Sequence, residues 1–181
     1  MNIVHTSIEG CFILEPKIIN DGRGYFYESY NKQTFKQVTG LDVDFVQDNQ
    51  SFSSKGVLRG LHYQIGDAAQ AKLVRVIQGE VLDVAVDLRA DSATFGKYVS
   101  AILSADNKRQ MFVPKGFAHG FLVLSDVAEF AYKCDNYYNR EQERGIRYND
   151  PALGIDWGFA AEAVIVSEKD QLLPFFFEAE Y

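Results

Sequence analysis

Leu82-Asp83-Val84-Ala85-Val86-Asp87 alternates branched apolar residues with acidic or small ones. Side chains two apart share a face of an extended chain, so this stretch predicts a half-buried β-strand with Leu82, Val84 and Val86 on one side. Phe117-Ala118-His119-Gly120-Phe121-Leu122-Val123 and Val127-Ala128-Glu129-Phe130-Ala131-Tyr132 read the same way. Turn signals separate these runs at Asn20-Asp21-Gly22, Ser53 to Gly56, Ala105 to Lys108, Pro114-Lys115-Gly116 and Asn149-Asp150-Pro151. Short strands at such spacing predict a sandwich or barrel. One helix is expected over 32–39, capped by Asn31, with Phe35 and Val38 inward and Gly40 as its stop. A helical turn is expected near Ser167 to Asp170. With no repeat or linker, residues 1–181 read as one β-rich domain.

Composition agrees. The chain has 181 residues, 47% of them hydrophobic and 14% aromatic, enough to bury a core without a disulfide or metal. Lys and Arg total 18 against 25 Asp and Glu, a net charge of -7. That field repels nucleic acid and anionic membrane, so neither is expected as a partner. Cys11 and Cys134 are the only cysteines, as in a reduced intracellular protein. The start, Met1 to His5, lacks the layout of a secretion signal, and no apolar run reaches the roughly 18 residues of a spanning helix. The expectation is cytoplasmic and soluble.

Chemistry concentrates in two segments, Gly56-Val57-Leu58-Arg59-Gly60-Leu61-His62-Tyr63-Gln64 and Pro114-Lys115-Gly116-Phe117-Ala118-His119. On a strand, His62 and Gln64 share a face while Leu61 and Tyr63 point the other way. An imidazole and an amide on one face, near Arg59, Lys72 and Arg75, point to function. His5, beside a frayed N-terminus, reads as an ordinary surface histidine.

The spacing of these segments resembles the two signature motifs of the cupin superfamily, small jelly-roll barrels whose metal-binding members use three His and one Glu. Here Gln64 replaces the second His and no Glu follows at the expected distance, leaving a poor metal shell. No metal and no cofactor are expected. The resemblance then narrows. Arg59 to Gln64, Lys72, Gly79 to Arg89 and Val113 to Phe121 are similar to the dTDP-4-dehydrorhamnose 3,5-epimerase family. So are Asp21 to Glu28, Gln47 to Ser51, Tyr132 to Tyr138, Ile146 to Pro151, Ile155 to Trp157 and Ser167 to Asp170.

That resemblance implies a mainly β, cupin-type jelly-roll (double-stranded β-helix) barrel with a few short helices. It also implies a homodimer that exchanges N-terminal strands and builds each site from both subunits. The implied substrate is the nucleotide sugar dTDP-4-dehydro-6-deoxy-glucose, inverted at carbon 3 and carbon 5. Inverting a carbon beside a ketone needs a base on one face, an acid on the other and a cation for the enolate oxygen. By resemblance His62 is the base, Asp170 its partner, Tyr132 the acid and Lys72 the cation. The pyrophosphate falls to Arg23 and Arg59, with Lys169 near the same region and His119 a further polar contact. Tyr138 is assigned thymine stacking, Phe26 a wall, and Glu28, Gln47, Asn49 and Glu143 edge or sugar contacts. Asp48 lies in the same stretch, and Ser51 and Asp83 rank behind it.

Three other readings stay open on the sequence: an epimerase acting at one carbon only, a ketoisomerase on the same barrel, and a non-catalytic nucleotide-sugar-binding jelly roll. Base, acid and cation together favour catalysis, which binding alone does not require. The aromatic end, Leu172 to Tyr181, either meets a partner surface or closes the barrel.

Overall fold

The computed structural model describes residues Met1–Tyr181. In chain order the elements begin with β1 (Asn2–His5), β2 (Phe12–Glu15), β3 (Ile19–Asp21), β4 (Gly24–Phe26) and α1 (Lys32–Thr39). Then come β5 (Gln47–Ser54), β6 (Val57–Gln64), β7 (Lys72–Gln78), β8 (Glu80–Asp87) and β9 (Tyr98–Ser104). The rest are β10 (Gln110–Val113), β11 (Phe117–Val123), β12 (Val127–Cys134), β13 (Glu143–Gly145), β14 (Ile165–Val166) and α2 (Glu168–Gln171). One sheet has the order β1-β2-β10-β7-β12-β5, and the facing sheet β13-β6-β11-β8-β9, with β14 added to β6. β3 and β4 form a separate hairpin. Two sheets with this crossed strand order are a jelly roll, the form that the family resemblance implied within the sandwich or barrel predicted by the alternation.

α1 spans the expected residues. The Asn31 side chain accepts from the backbone N–H of Gln33 and Thr34, and Gly40 closes the helix in the left-handed region at φ 75°. Phe35 is buried and Val38 half-buried. α2 is capped by the Ser167 side chain, which accepts from Asp170 N–H.

β8 departs from expectation. It is not half-buried: Asp83, Val84, Ala85, Val86 and Asp87 are all 0% exposed. Val81 and Ala85 belong to the core between the sheets, with Val74, Met111, Phe121 and Phe130. Val84 and Val86 face outward into a second core with Leu58, Leu61, Tyr63, Ile146, Trp157 and Phe176. The chain after β13 lays an apolar layer over the outer face of the second sheet, so both sides of β8 are covered and Asp83 points into the barrel. A third cluster, Phe12, Leu14, Phe35, Leu73 and Phe112, seats α1 on the other sheet.

The aromatic end closes on its own chain through Phe176 and Tyr181, while Leu172 and Phe177 stay exposed. Phe176 is buried, with its ring stacked 5.6 Å from Tyr181, and Tyr63 OH donates to the Glu180 carbonyl at 2.7 Å. His5 is not frayed; it is the last residue of β1 and pairs with Phe12. Cys11 and Cys134 are free and buried, and burial pushes the Cys11 thiol up to about 12. No helix is long and apolar enough to cross a membrane.

Candidate active site

β6 and β11 run side by side with His62 opposite His119. Just beyond that pair the register shifts, where Gly60 and Gly120 meet. A Cβ on Gly60 would lie 2.6 Å from Gly120 Cα, and Gly60 has φ 133°, so no larger residue fits this crossing. The strands thereby close enough for both imidazoles to line one cavity of about 630 Å³.

His62 Nε2 lies 2.7 Å from Asp170 Oδ1. Asp170 reaches it from α2, with its other oxygen accepting Gly60 N–H at 3.3 Å. Burial alone would raise this carboxyl, yet it sits below the ordinary range because His62 and Gly60 donate to it and cations lie nearby. It is therefore ionised at neutral pH. His119, 7% exposed, gives its Nε2 to Asp83 at 2.9 Å. Burial lifts Asp83 above the usual carboxylate range, and His119 and Lys72 draw it back.

The opposite wall comes from the other sheet. Lys72 opens β7 and Tyr132 lies on neighbouring β12, with the ammonium 6.0 Å from the phenol ring centroid. Burial pulls the Lys72 pKa below the ordinary lysine range, opposed by Cys134, Asp83 and Glu143. Burial raises the Tyr132 phenol, so it keeps its proton at neutral pH. Asn49 and Ser51 of β5 line the same cavity.

At the rim, Glu143 accepts from Lys169 Nζ at 2.6 Å and from Tyr138 OH at 3.1 Å. Burial would raise Glu143, but those two donors hold it below its ordinary range. Tyr138 is 53% exposed, and its backbone N–H donates to Gln47 Oε1. Arg59 lines the cavity and donates from Nε to Ser53 Oγ at 3.0 Å.

The remaining candidates lie elsewhere in this chain. Arg23, Phe26 and Glu28 do not line the cavity. Arg23 pairs with Asp21 on the exposed β3–β4 hairpin, Phe26 is 69% exposed, and Glu28 accepts from Asn31 and Thr34 at the start of α1. Asp48 pairs with Lys133 and lines a neighbouring cavity. Gln64, marked in the sequence by its shared face with His62 but given no role there, lines the cavity with Gln70, and the Gly60 N–H, which the sequence did not mark, holds Asp170. The signal for Gln64 was available, since an amide stands where metal-binding cupins carry an imidazole. No group of three or more His, Cys, Asp or Glu side chains is arranged to hold a metal ion. Both imidazole Nε2 atoms already meet carboxylates.

Fold and cavity define a cupin-type jelly roll with an acid–base pocket between its sheets. A family model described as dTDP-4-dehydrorhamnose 3,5-epimerase matches residues 5–178, and the chain belongs to that family. The dTDP-4-dehydrorhamnose 3,5-epimerase of Escherichia coli K12 is 56% identical over 173 residues, 96% of this chain and 93% of that one. The crystal structure of the enzyme of that name from Elizabethkingia anophelis NUHP1 superposes with a TM-score of 0.96 at 55% identity, covering 100% of this chain and 99% of the other. A Legionella pneumophila dTDP-6-deoxy-D-glucose-3,5-epimerase, solved in complex with dTDP-4-keto-L-rhamnose, gives 0.92 at 54% identity over 96% and 92% of the two chains.

Proposed function

We propose that this chain inverts carbon 3 and carbon 5 of dTDP-4-dehydro-6-deoxy-glucose, giving dTDP-4-dehydro-L-rhamnose. The observation that carries the reading is a His–carboxylate pair on one wall of a single cavity and a phenol beside an ammonium on the other. Family membership and the ligand in the Legionella structure support the substrate.

In this reading His62 takes the proton from carbon 3. The C–H electron pair becomes the double bond to carbon 4, and the ketone oxygen takes the charge. Lys72 faces that oxygen, and a fixed cation in a water-poor cavity stabilises an enolate far more than solvent does. A proton returned to carbon 3 from water on the opposite face inverts that centre. His62, reset by exchange with water, then acts in the same way on carbon 5, where Tyr132 delivers its proton from the opposite face and is reprotonated from water. No metal takes part, because the lysine supplies the charge a Lewis acid would.

Proton NMR of the purified protein with this substrate, in deuterated buffer with a chelator, tests the reading. Deuterium is expected at both carbons, with the inverted sugar trapped by a reductase. No exchange, with dTDP still bound, would leave a binding module. Tyr132→Phe is expected to shift the product toward inversion at carbon 3 alone; an unchanged product mixture would remove the donor role from Tyr132.

The same reading makes the protein a homodimer whose sites draw on both subunits. Arg23, Phe26 and Glu28 lie outside their own chain's cavity on an exposed hairpin and loop, which suits groups that serve a partner's pyrophosphate and thymine. Subunits of Arg23→Glu and His62→Ala, each inactive, are expected to recover about a quarter of wild-type turnover when mixed and allowed to re-pair, because half the dimers are then mixed and each holds one intact site. No recovery would place each site within one chain.

A further inference from the structure

Gln64 lies two residues beyond His62 on β6 and is 7% exposed. Its amide does not hang free in the cavity. Nε2 donates to the Ala68 carbonyl at 2.9 Å and to the Tyr137 carbonyl at 3.4 Å, and Oε1 accepts Asn139 N–H at 2.6 Å. Tyr138 lies between the last two, and its own N–H goes to Gln47 Oε1 at 3.0 Å. The two successive peptide groups that flank Tyr138 are thus held by side-chain amides from two strands. The ring itself is exposed and has one hydrogen bond, from its hydroxyl to Glu143. Its place is therefore set through its backbone more than by packing.

We propose that Gln64 is a positioning residue that fixes the Tyr138 platform at a set distance from His62, so that one strand spaces the nucleobase from the reacting carbons. The inference rests on the reading of Tyr138 as the thymine-stacking residue. It follows from donor chemistry that an isosteric carboxylate cannot replace the amide. Gln64→Glu puts an acceptor oxygen where Nε2 donates to the Ala68 and Tyr137 carbonyls, in a buried place where an unmatched acceptor is costly. The loop around Tyr138 is then released, and apparent affinity falls by the fraction of time it spends out of place. His62 and Lys72 are untouched, so the chemical step is preserved.

The test measures dTDP affinity by calorimetry and steady-state kinetics with the sugar nucleotide for Gln64→Glu, Gln64→Met, Tyr138→Ala and the double variant Gln64→Glu/Tyr138→Ala. Gln64→Met keeps the length and volume of the side chain and guards against misfolding of the carboxylate variant. Expected are a rise in dTDP Kd and in KM of about tenfold or more in both Gln64 variants, with kcat within about threefold. The double variant is expected to bind no worse than Tyr138→Ala alone, since the two act as one unit. Full dTDP affinity in Tyr138→Ala would remove the stacking role and this inference with it. Loss in Tyr138→Ala with unchanged affinity in Gln64→Met would overturn the clamp while leaving Tyr138 its role. A fall in kcat at constant KM would also overturn it.

Discussion

His62→Ala is expected to lower turnover by about 10³-fold or more while dTDP affinity stays within about tenfold of wild type. With Nε2 committed to Asp170 at 2.7 Å, the other ring nitrogen is left to take a proton from carbon. A positioned base contributes roughly 10² to 10⁴ in rate, and the orienting carboxylate brings this one toward the upper end. Asp170 lies below the ordinary carboxylate range, and in the proposed mechanism its charge stabilises the imidazolium as that forms. Binding should survive because Arg59, Tyr138 and Lys169 occupy other parts of the cavity and rim. Rates measured with the reductase-coupled assay, beside calorimetry with dTDP, separate the two quantities. Turnover within tenfold of wild type would move the base elsewhere, and a parallel loss of dTDP binding would make His62 structural.

The second large effect is expected from Lys72→Met. Removing one preorganised charge from a developing oxyanion costs about 10² to 10³ in rate, and Met keeps most of the side-chain volume. The lysine does little to hold the fold: its hydrogen bond, to the His62 carbonyl, is long at 3.5 Å. The pH profile gives an independent check. Burial lowers the Lys72 pKa, so on raising the pH the ammonium is lost before a free lysine would be, near 10.4. Wild-type activity should therefore decline on an alkaline limb that begins below that value. The limb should be absent from the residual activity of Lys72→Met. An unchanged limb, or a loss under tenfold, would assign the enolate oxygen to another group.

Local pattern carried much of this protein. α1 was legible to the residue because its signals are short-range: an Asn whose oxygen reaches two N–H groups of the first turn, and a Gly that tolerates φ 75°. The shared face of His62 and Gln64, opposite Leu61 and Tyr63, was legible because the period of a strand belongs to its backbone. β8 shows the limit. Alternation names two faces and does not say what covers each. Val84 and Val86 lie under Trp157 and Phe176, residues remote in sequence, and so the acidic face became the barrel interior. The aromatic end was ambiguous for the same reason until Tyr181 was seen on Phe176.

The site divides along the same line. Motif spacing singled out His62 and His119, and the family resemblance nominated Lys72 and Tyr132, since chemistry at a carbon beside a ketone calls for a cation and an acid. Sequence also ruled against a three-histidine metal shell by placing Gln at 64. The resemblance paired Asp170 with His62, but only the folded chain showed that contact across 108 residues and set Asp83 against His119. It alone showed that the Arg23 hairpin stands apart from the cavity of its own chain. The reason is physical. Strand period, helix caps and turns are decided by interactions a few residues long and are written in order along the chain. Which carboxylate meets which imidazole depends on how two sheets and a covering layer pack, a contest among contacts far apart in sequence that no local pattern records.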